Sequence, residues 1–286
     1  MIKVDNLSYT YRKSKTPAIT KLGFEVEGGE IFGFLGPSGA GKSTTQKILI
    51  GLLGEFEGNI KIAGKDLKEW NYSFYDKIGV CFELPNHYLK LSALENLKYF
   101  STFYNVPTRN PIKLLEMVGL ENDGNKRVEE FSKGMKMRLN FVRSLLHNPE
   151  ILFLDEPTSG LDPINARNIK NIILDEKKKG KTIFLTTHNM YDADELCDRV
   201  AFINKGKISI IDSPKQLKIK NGKRVVKVEY LNDIPVQKEF EMENIGNNTE
   251  FFNILKYNHL ISIHSEEATL DDVFINVTGT SLTNNS

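Results

Sequence analysis

The sequence is poor in cysteine, in net charge and in long apolar runs, and each shortage removes a class of function. Its 286 residues include two cysteines, Cys81 and Cys197. These cannot build a disulfide framework and have no metal-ligand spacing, so free thiols in a reducing cytosol are expected. A net charge of +1 leaves no electrostatic footprint for nucleic acid. No uninterrupted apolar stretch reaches membrane-spanning length. The opening residues Met1-Ile2-Lys3-Val4-Asp5 alternate like a strand and lack the apolar centre of a signal peptide. A soluble chain is expected, with any membrane role coming through a partner. Hydrophobic residues at 40% supply a sizeable core, in one large domain or two unequal ones.

What is present is organised around Gly36-Pro37-Ser38-Gly39-Ala40-Gly41-Lys42-Ser43-Thr44. The spacing is that of a phosphate-binding loop. It follows the apolar run 31–35 and opens a helix-like run from Thr44 to Leu53, the strand–loop–helix context the motif requires. Glycines let backbone N–H groups wrap a phosphate, and the helix start adds a positive dipole end. Lys42 would reach the β- and γ-phosphates, and the Ser43 hydroxyl would ligate Mg²⁺.

Residues 1 to 30 read as an antiparallel β layer: Ile2 and Val4 alternate, then come runs 7–11 and 22–26. Short strands are predicted at 59–63 and 78–82. From Ser92 to about His147 the pattern is helical, with one helix around Leu94, Leu97, Phe100 and Tyr104 and a second over 111–120. Tyr99, Phe100, Phe103 and Tyr104 are expected in the core, with a partner surface as the alternative. Strand and helix then alternate. Asp162 is the expected N-cap of a helix to Lys179, with Pro163 in its first position. A strand at 182–186 and a hairpin about Lys205-Gly206 follow. A boundary near Lys218 to Lys223 precedes a small α+β unit: strands at 224–230, 236–242 and 260–264, helices at 249–257 and 269–277. Residues 283–286 are expected to be disordered.

Two further places carry chemistry. Ile151-Leu152-Phe153-Leu154-Asp155-Glu156 is an apolar strand ending in two carboxylates. Asp155 is suited to holding Mg²⁺ beside Ser43, and Glu156 to activating a water for attack on the γ-phosphate. Phe131-Ser132-Lys133-Gly134-Met135 opens another helix, with Ser132 as N-cap. That helix start can bind a phosphate as well. One phosphate loop and a second phosphate-binding helix start on one chain suggest two subunits facing each other.

In this order and spacing the motifs resemble the ATP-binding subunit of ABC transporters, over residues 1 to about 214. The resemblance makes 131–135 the signature segment, 151–156 the Walker B strand, 159–162 with Asp162 the D-loop, and His188 the γ-phosphate sensor. It places Tyr11 against adenine, with Tyr9 the competitor. Ser132 and Gly134 keep the signature site, although Lys133 and Met135 stand where the family has Gly and Gln. Glu83 stands where the family usually has Gln. Its added negative charge near the γ-phosphate costs about 4 kcal/mol at an effective dielectric near 20, so Glu83 is read as a Mg²⁺ contact, direct or through water, the alternative being that it turns away and pairs with a lysine or the permease. The tail 268–274 resembles the end of ABC-2-type drug or antibiotic export subunits.

The resemblance implies an α/β fold: a P-loop NTPase (ABC ATPase) core at 1–216, with an antiparallel β layer and a helical insert at about 92–147. A small C-terminal α+β domain at 221–286 carries no catalytic motif and is expected to regulate or dimerise. The implied function is ATP binding and hydrolysis with Mg²⁺, powering export through separate transmembrane permease subunits. The expected form is a homodimer with ATP at its interface, free of nucleic acid. It would be cytoplasmic, held to the inner face of the membrane through the permease, whose coupling helix would meet residues 84–89. A soluble P-loop kinase is a rival, but it has no need of a second phosphate-binding helix start. A non-transport ABC ATPase is another, yet the fused cassettes or long coiled-coil inserts of that class are absent.

Overall fold

The computed structural model describes residues 1–222, 225–266 and 268–280. It divides into two units, Met1–Asp212 and Ser213–Ser286. Among the described residues no helix is long and apolar enough to cross a membrane.

The first unit opens with β1 (Ile2–Tyr9) and β2 (Ile19–Val26), an antiparallel pair, then β3 (Ile31–Leu35) and α1 (Lys42–Leu49). Then come β4 (Glu57–Ile62), β5 (Lys65–Asp66) and β6 (Ile78–Cys81). Three helices follow: α2 (Ala93–Ser101), α3 (Pro111–Met117) and α4 (Lys133–Ser144). The unit closes with β7 (Ile151–Asp155), α5 (Pro163–Lys178), β8 (Thr182–Thr187), α6 (Met190–Leu196), β9 (Arg199–Asn204) and β10 (Lys207–Asp212). One sheet has the order β2-β1-β4-β5 and is antiparallel. The other has the order β10-β9-β3-β8-β7-β6; it is parallel from β9 to β6, with β10 antiparallel at the edge.

Sequence chemistry explains these choices. β3, β7 and β8 are buried at every residue, as uninterrupted apolar runs must be when a parallel strand is covered on both faces. Phe24 of the antiparallel sheet stacks on Phe32 and Phe184 of the parallel one, at ring distances of 5.6 and 6.0 Å. The two sheets therefore share one aromatic core. Local signals set the helix ends: Asp162 caps α5, Asn110 caps α3 ahead of Pro111, and Ser92 with Glu95 forms a capping box on α2.

β1 is continuous where the alternation predicts a break. Asn6 takes a φ of 52° beside a register shift, and this bulge resets the period so that Ile2, Val4 and Leu7 all face the core. α1 stops at Leu49, four residues before the expected Leu53, and Gly51 turns left-handed just beyond it. The aromatics of the helical insert are a correction: Tyr99 and Phe103 are exposed, not core. α2 is only nine residues long, and its buried face is taken by Ala93, Asn96 and Leu97. Tyr99 and Phe103 instead gather with Tyr88 and Phe100 in one cluster at the surface, its rings edge-to-face except for the tilted Tyr88–Phe100 pair.

The second unit begins with α7 (Pro214–Asn221), so residues 214–216 and the Lys-rich stretch at 218–221 lie in its opening helix. Next come β11 (Val225–Asn232), β12 (Ile234–Glu241), α8 (Thr249–Tyr257), β13 (His259–Glu266) and α9 (Leu270–Thr278). The strands form an antiparallel sheet in the order β12-β11-β13. Val226, Val228 and Phe240 pack with Ile254 and Phe251 of α8. Thr269 caps α9 in a capping box with Asp272. Arg224 and the tail 283–286 lie outside the described residues.

His147 ties the end of the α4 segment to the sheet. Its Nε2 donates to Ile78 O at 2.8 Å, and its ring stacks on Tyr104 at 3.8 Å. Burial pushes its pKa down to about 4, against the hydrogen bond to Ile78 O, which favours the charged form. An unfolded histidine takes up its proton near 6.5, so between pH 6.5 and 4 the unfolded state binds more protons and stability is lost as the pH falls. Chemical denaturation should show His147→Gln losing about 2 kcal/mol less than wild type between pH 7 and 4.5. Equal losses in both proteins would contradict this account of His147.

Candidate functional site

Parallel register brings the ends of four strands together. Leu35 of β3 pairs with Thr187 of β8, Asp155 of β7 with Thr186, and Cys81 of β6 with Leu154. The residues that leave these ends are the phosphate loop, Glu83, Glu156 and His188. They meet at the carboxyl edge of the sheet, beside β3, where the chain order reverses between β8 and β9. A cleft of about 440 Å³ opens there, lined by Tyr11, Ala18, Ser38, Gly39, Gly41, Lys42, Ser43, Thr44, Glu83, Asp155, Glu156 and His188.

The loop is shaped for close approach. A Cβ on Gly36 would lie 2.1 Å from Ile203 O, so this glycine is required by packing against β9 as well as by the loop. Gly41 takes a φ of 110° as N-cap of α1, a conformation an L side chain rarely adopts. Lys42 is buried, and its ammonium donates to Gly36 O at 2.6 Å and Pro37 O at 3.1 Å. Burial lowers its pKa, and Glu156, Asp155 and Glu83 oppose that effect. The lysine thus folds back on its own loop, with three carboxylates opposing the effect of burial.

The strand-end carboxylates are each tied down. Asp155 accepts a hydrogen bond from the Thr186 hydroxyl, which also lies 3.2 Å from buried Gln46 on α1. Glu156 has a φ of 48°, strained for a side chain of this size. Its surroundings fix it there. Its N–H reaches Thr186 O at 2.9 Å, and Oε2 accepts from Thr187 Oγ1 at 2.8 Å. Oε1 accepts from the His188 N–H at 2.9 Å and faces His188 Nδ1 at 2.7 Å. A carboxylate in that position needs the proton on Nδ1. Sequence reasoning gave Thr186, Thr187 and Ala18 no part in the site. The signal for the threonines was two hydroxyls ending a buried strand next to one ending in Asp-Glu.

Tyr11 reaches the cleft, and its hydroxyl lies 3.0 Å from Thr44 Oγ1. Tyr9 meets the Tyr11 ring edge-on at 5.0 Å and does not line this cleft. Gly36, Pro37 and Ala40 form the loop behind the lining residues. Ser132, Gly134 and Asp162 are absent from the cleft. Ser132 Oγ caps α4 by accepting from Met135 N at 3.2 Å, and Asp162 caps α5 from Ile164 N and Asn165 N. These residues belong to a second locus, where a Cβ on Gly134 would meet Leu161 at 3.6 Å and one on Gly160 would meet Lys133 at 3.3 Å.

A backbone cradle at a helix start, facing an Asp-Glu strand end and a histidine, defines a P-loop nucleoside-triphosphate hydrolase. Within that class, residues 19–159 match the ABC transporter family and residues 224–267 a fluoroquinolone efflux ABC transporter C-terminal domain. A fluoroquinolones export ATP-binding protein of Mycobacterium tuberculosis is 53% identical over 285 residues, covering 99% of this chain and 95% of the relative. A lantibiotic transport ATP-binding protein of Streptococcus pyogenes is 38% identical, covering 73% of this chain and 89% of the relative. A dimeric ATP-binding cassette solved with ADP and phosphate superposes with a TM-score of 0.69 at 26% identity, covering 74% of this chain and 98% of that one. The chain belongs to the ABC transporter family, as an ATP-binding subunit that hydrolyses ATP.

Proposed function

We propose that this chain hydrolyses Mg²⁺-bound ATP at two sites shared between two copies, and so powers export through separate membrane permease subunits. The observation that carries the reading is the separation of two phosphate-binding loci on one chain: the cleft holds one, and Ser132, Gly134 and Asp162 lie outside it. A second copy turned head to tail would bring its Ser132 helix start to the open side of the first cleft.

Within each site the geometry supports the following roles. The N–H groups of 36–44 cradle the phosphates and Tyr11 stacks on adenine. Lys42 exchanges the carbonyls of Gly36 and Pro37 for β- and γ-phosphate oxygens. Ser43, Asp155 and Glu83 are the groups that fit Mg²⁺: all are oxygen donors lining one cleft. The described residues hold no ready cage of three or more His, Cys, Asp or Glu. Two carboxylates and a hydroxyl on one cleft suit Mg²⁺, which takes one or two carboxylates and fills its remaining positions with phosphate oxygens and water. When bound, the ion would neutralise charge on the phosphates. Glu156 takes the proton of the attacking water, and His188, held by Glu156 through Nδ1, turns Nε2 to the γ-phosphate.

The exposed cluster Tyr88, Tyr99 and Phe103, together with Leu84 and Leu89, which are exposed on the same segment as Tyr88, is the surface proposed to meet the permease on the inner face of the membrane. The names of the relatives point to antibiotic cargo, chosen by membrane subunits that this chain does not contain.

Glu156→Gln should bind ATP, hydrolyse it at least about a hundredfold more slowly, and run as a dimer by light scattering with ATP and Mg²⁺. A strictly monomeric Glu156→Gln protein at high concentration would argue against the shared site. For the docking surface, a Tyr88→Ala, Leu89→Ala pair should lower recovery of the permease complex while basal ATPase stays within twofold, roughly what a surface change allows. Unchanged recovery would remove this surface from the account.

A further inference from the structure

One helix holds both ends of the segment that carries Glu83. Asn140 of α4 is fully buried and donates from Nδ2 to Phe82 O at 2.8 Å. Arg143, three residues on and therefore on the same face, donates to Asn86 O and reaches Asn140 Oδ1 at 2.7 Å. Its guanidinium also lies 4.5 Å over the ring of Phe100. His87 adds a third tie, with Nε2 donating to Lys136 O at 3.0 Å and Nδ1 facing Arg143 at 3.5 Å. Burial, with Arg143 beside it, pushes the His87 pKa down to about 4, so the ring is neutral and this tie intact at neutral pH.

Glu83 itself is exposed and lines the cleft. The backbone on either side is thus clamped, and the carboxylate faces the cleft, where its charge acts on Lys42. A polar side chain as buried as Asn140 needs a compensating role, and an arginine spent on a loop carbonyl fixes that loop at a cost in its own hydration. Both expenses fall on the residues flanking Glu83.

We propose that Asn140 and Arg143 are positioning residues for Glu83. By fixing the carbonyls of Phe82 and Asn86 they set where the carboxylate enters the cleft, and so how strongly it acts on the metal that accompanies ATP. The proposal rests on Glu83 as a metal contact. Because Arg143 also touches Phe100, the setting is joined to the exposed aromatic cluster by a single side chain.

The test is equilibrium binding of a non-hydrolysable ATP analogue across a Mg²⁺ series, without turnover, alongside thermal unfolding. The proteins are wild type, Glu83→Gln, Arg143→Met, and the double variant. Arg143→Met should raise the half-saturating Mg²⁺ roughly tenfold, as loss of an outer-shell support does. The double variant should match Glu83→Gln alone, because no carboxylate is left to position. Thermal stability should fall by the same amount in both backgrounds. An equal Mg²⁺ shift with and without the Glu83 carboxylate would overturn the positioning role and leave Arg143 a packing residue. Glu83→Gln without any shift would overturn the metal contact, and the positioning claim with it. Should Arg143→Met fail to fold, Arg143→Lys is read the same way, since it keeps the charge and loses the fork.

Discussion

The parallel register of β3, β8, β7 and β6 is the constraint on which the rest of this molecule depends. Pairing Leu35 with Thr187, Asp155 with Thr186 and Cys81 with Leu154 puts four strand ends within one cleft's width. Residues more than a hundred positions apart then share a site without any loop having to reach. The aromatic stack of Phe24, Phe32 and Phe184 holds that edge against the antiparallel sheet. A one-residue slip would turn every side chain of the strand to the other face. It would move Asp155 away from Thr186 as surely as it would bury the wrong phenylalanine.

Lys42 and Glu156 already have partners within the protein, and that shapes what ATP has to do. Lys42 bonds to Gly36 O and Pro37 O, and Glu156 is held by Thr187 and His188. On the proposed roles, phosphate binding is an exchange of partners for Lys42, and the net gain per bond is modest. The strained φ at Glu156 is maintained by contacts from β8, so the carboxylate and the histidine respond together. Asp155, Glu156 and Glu83 around one buried ammonium make a strongly acidic rim, the charge pattern that a divalent cation relieves.

Much of this was legible in the sequence, because the chemistry is local. The phosphate loop, the Asp155-Glu156 strand end, and the capping residues Ser132, Asp162 and Thr269 announce themselves within a few residues. The strands and helices of the second unit followed from alternation and caps. What stayed hidden depends on contacts between distant segments. Gly36 gives no sign that Ile203 O lies over it. Nothing near Tyr99 and Phe103 says that α2 is too short to bury them. The bulge at Asn6 breaks the period on which the strand reading relied. The Asn140 and Arg143 clamp joins α4 to a loop more than fifty positions earlier, and no periodicity encodes such a pairing.

The central claim is that each chain holds two incomplete halves of a hydrolytic site. The most direct measurement is the ATPase rate per chain across a wide range of protein concentration, at saturating ATP and Mg²⁺. Shared sites make the specific rate climb with concentration and level off once the chains are paired, because a lone chain lacks the Ser132 helix start across its cleft. A specific rate that stays constant down to concentrations where light scattering finds only single chains would contradict the account.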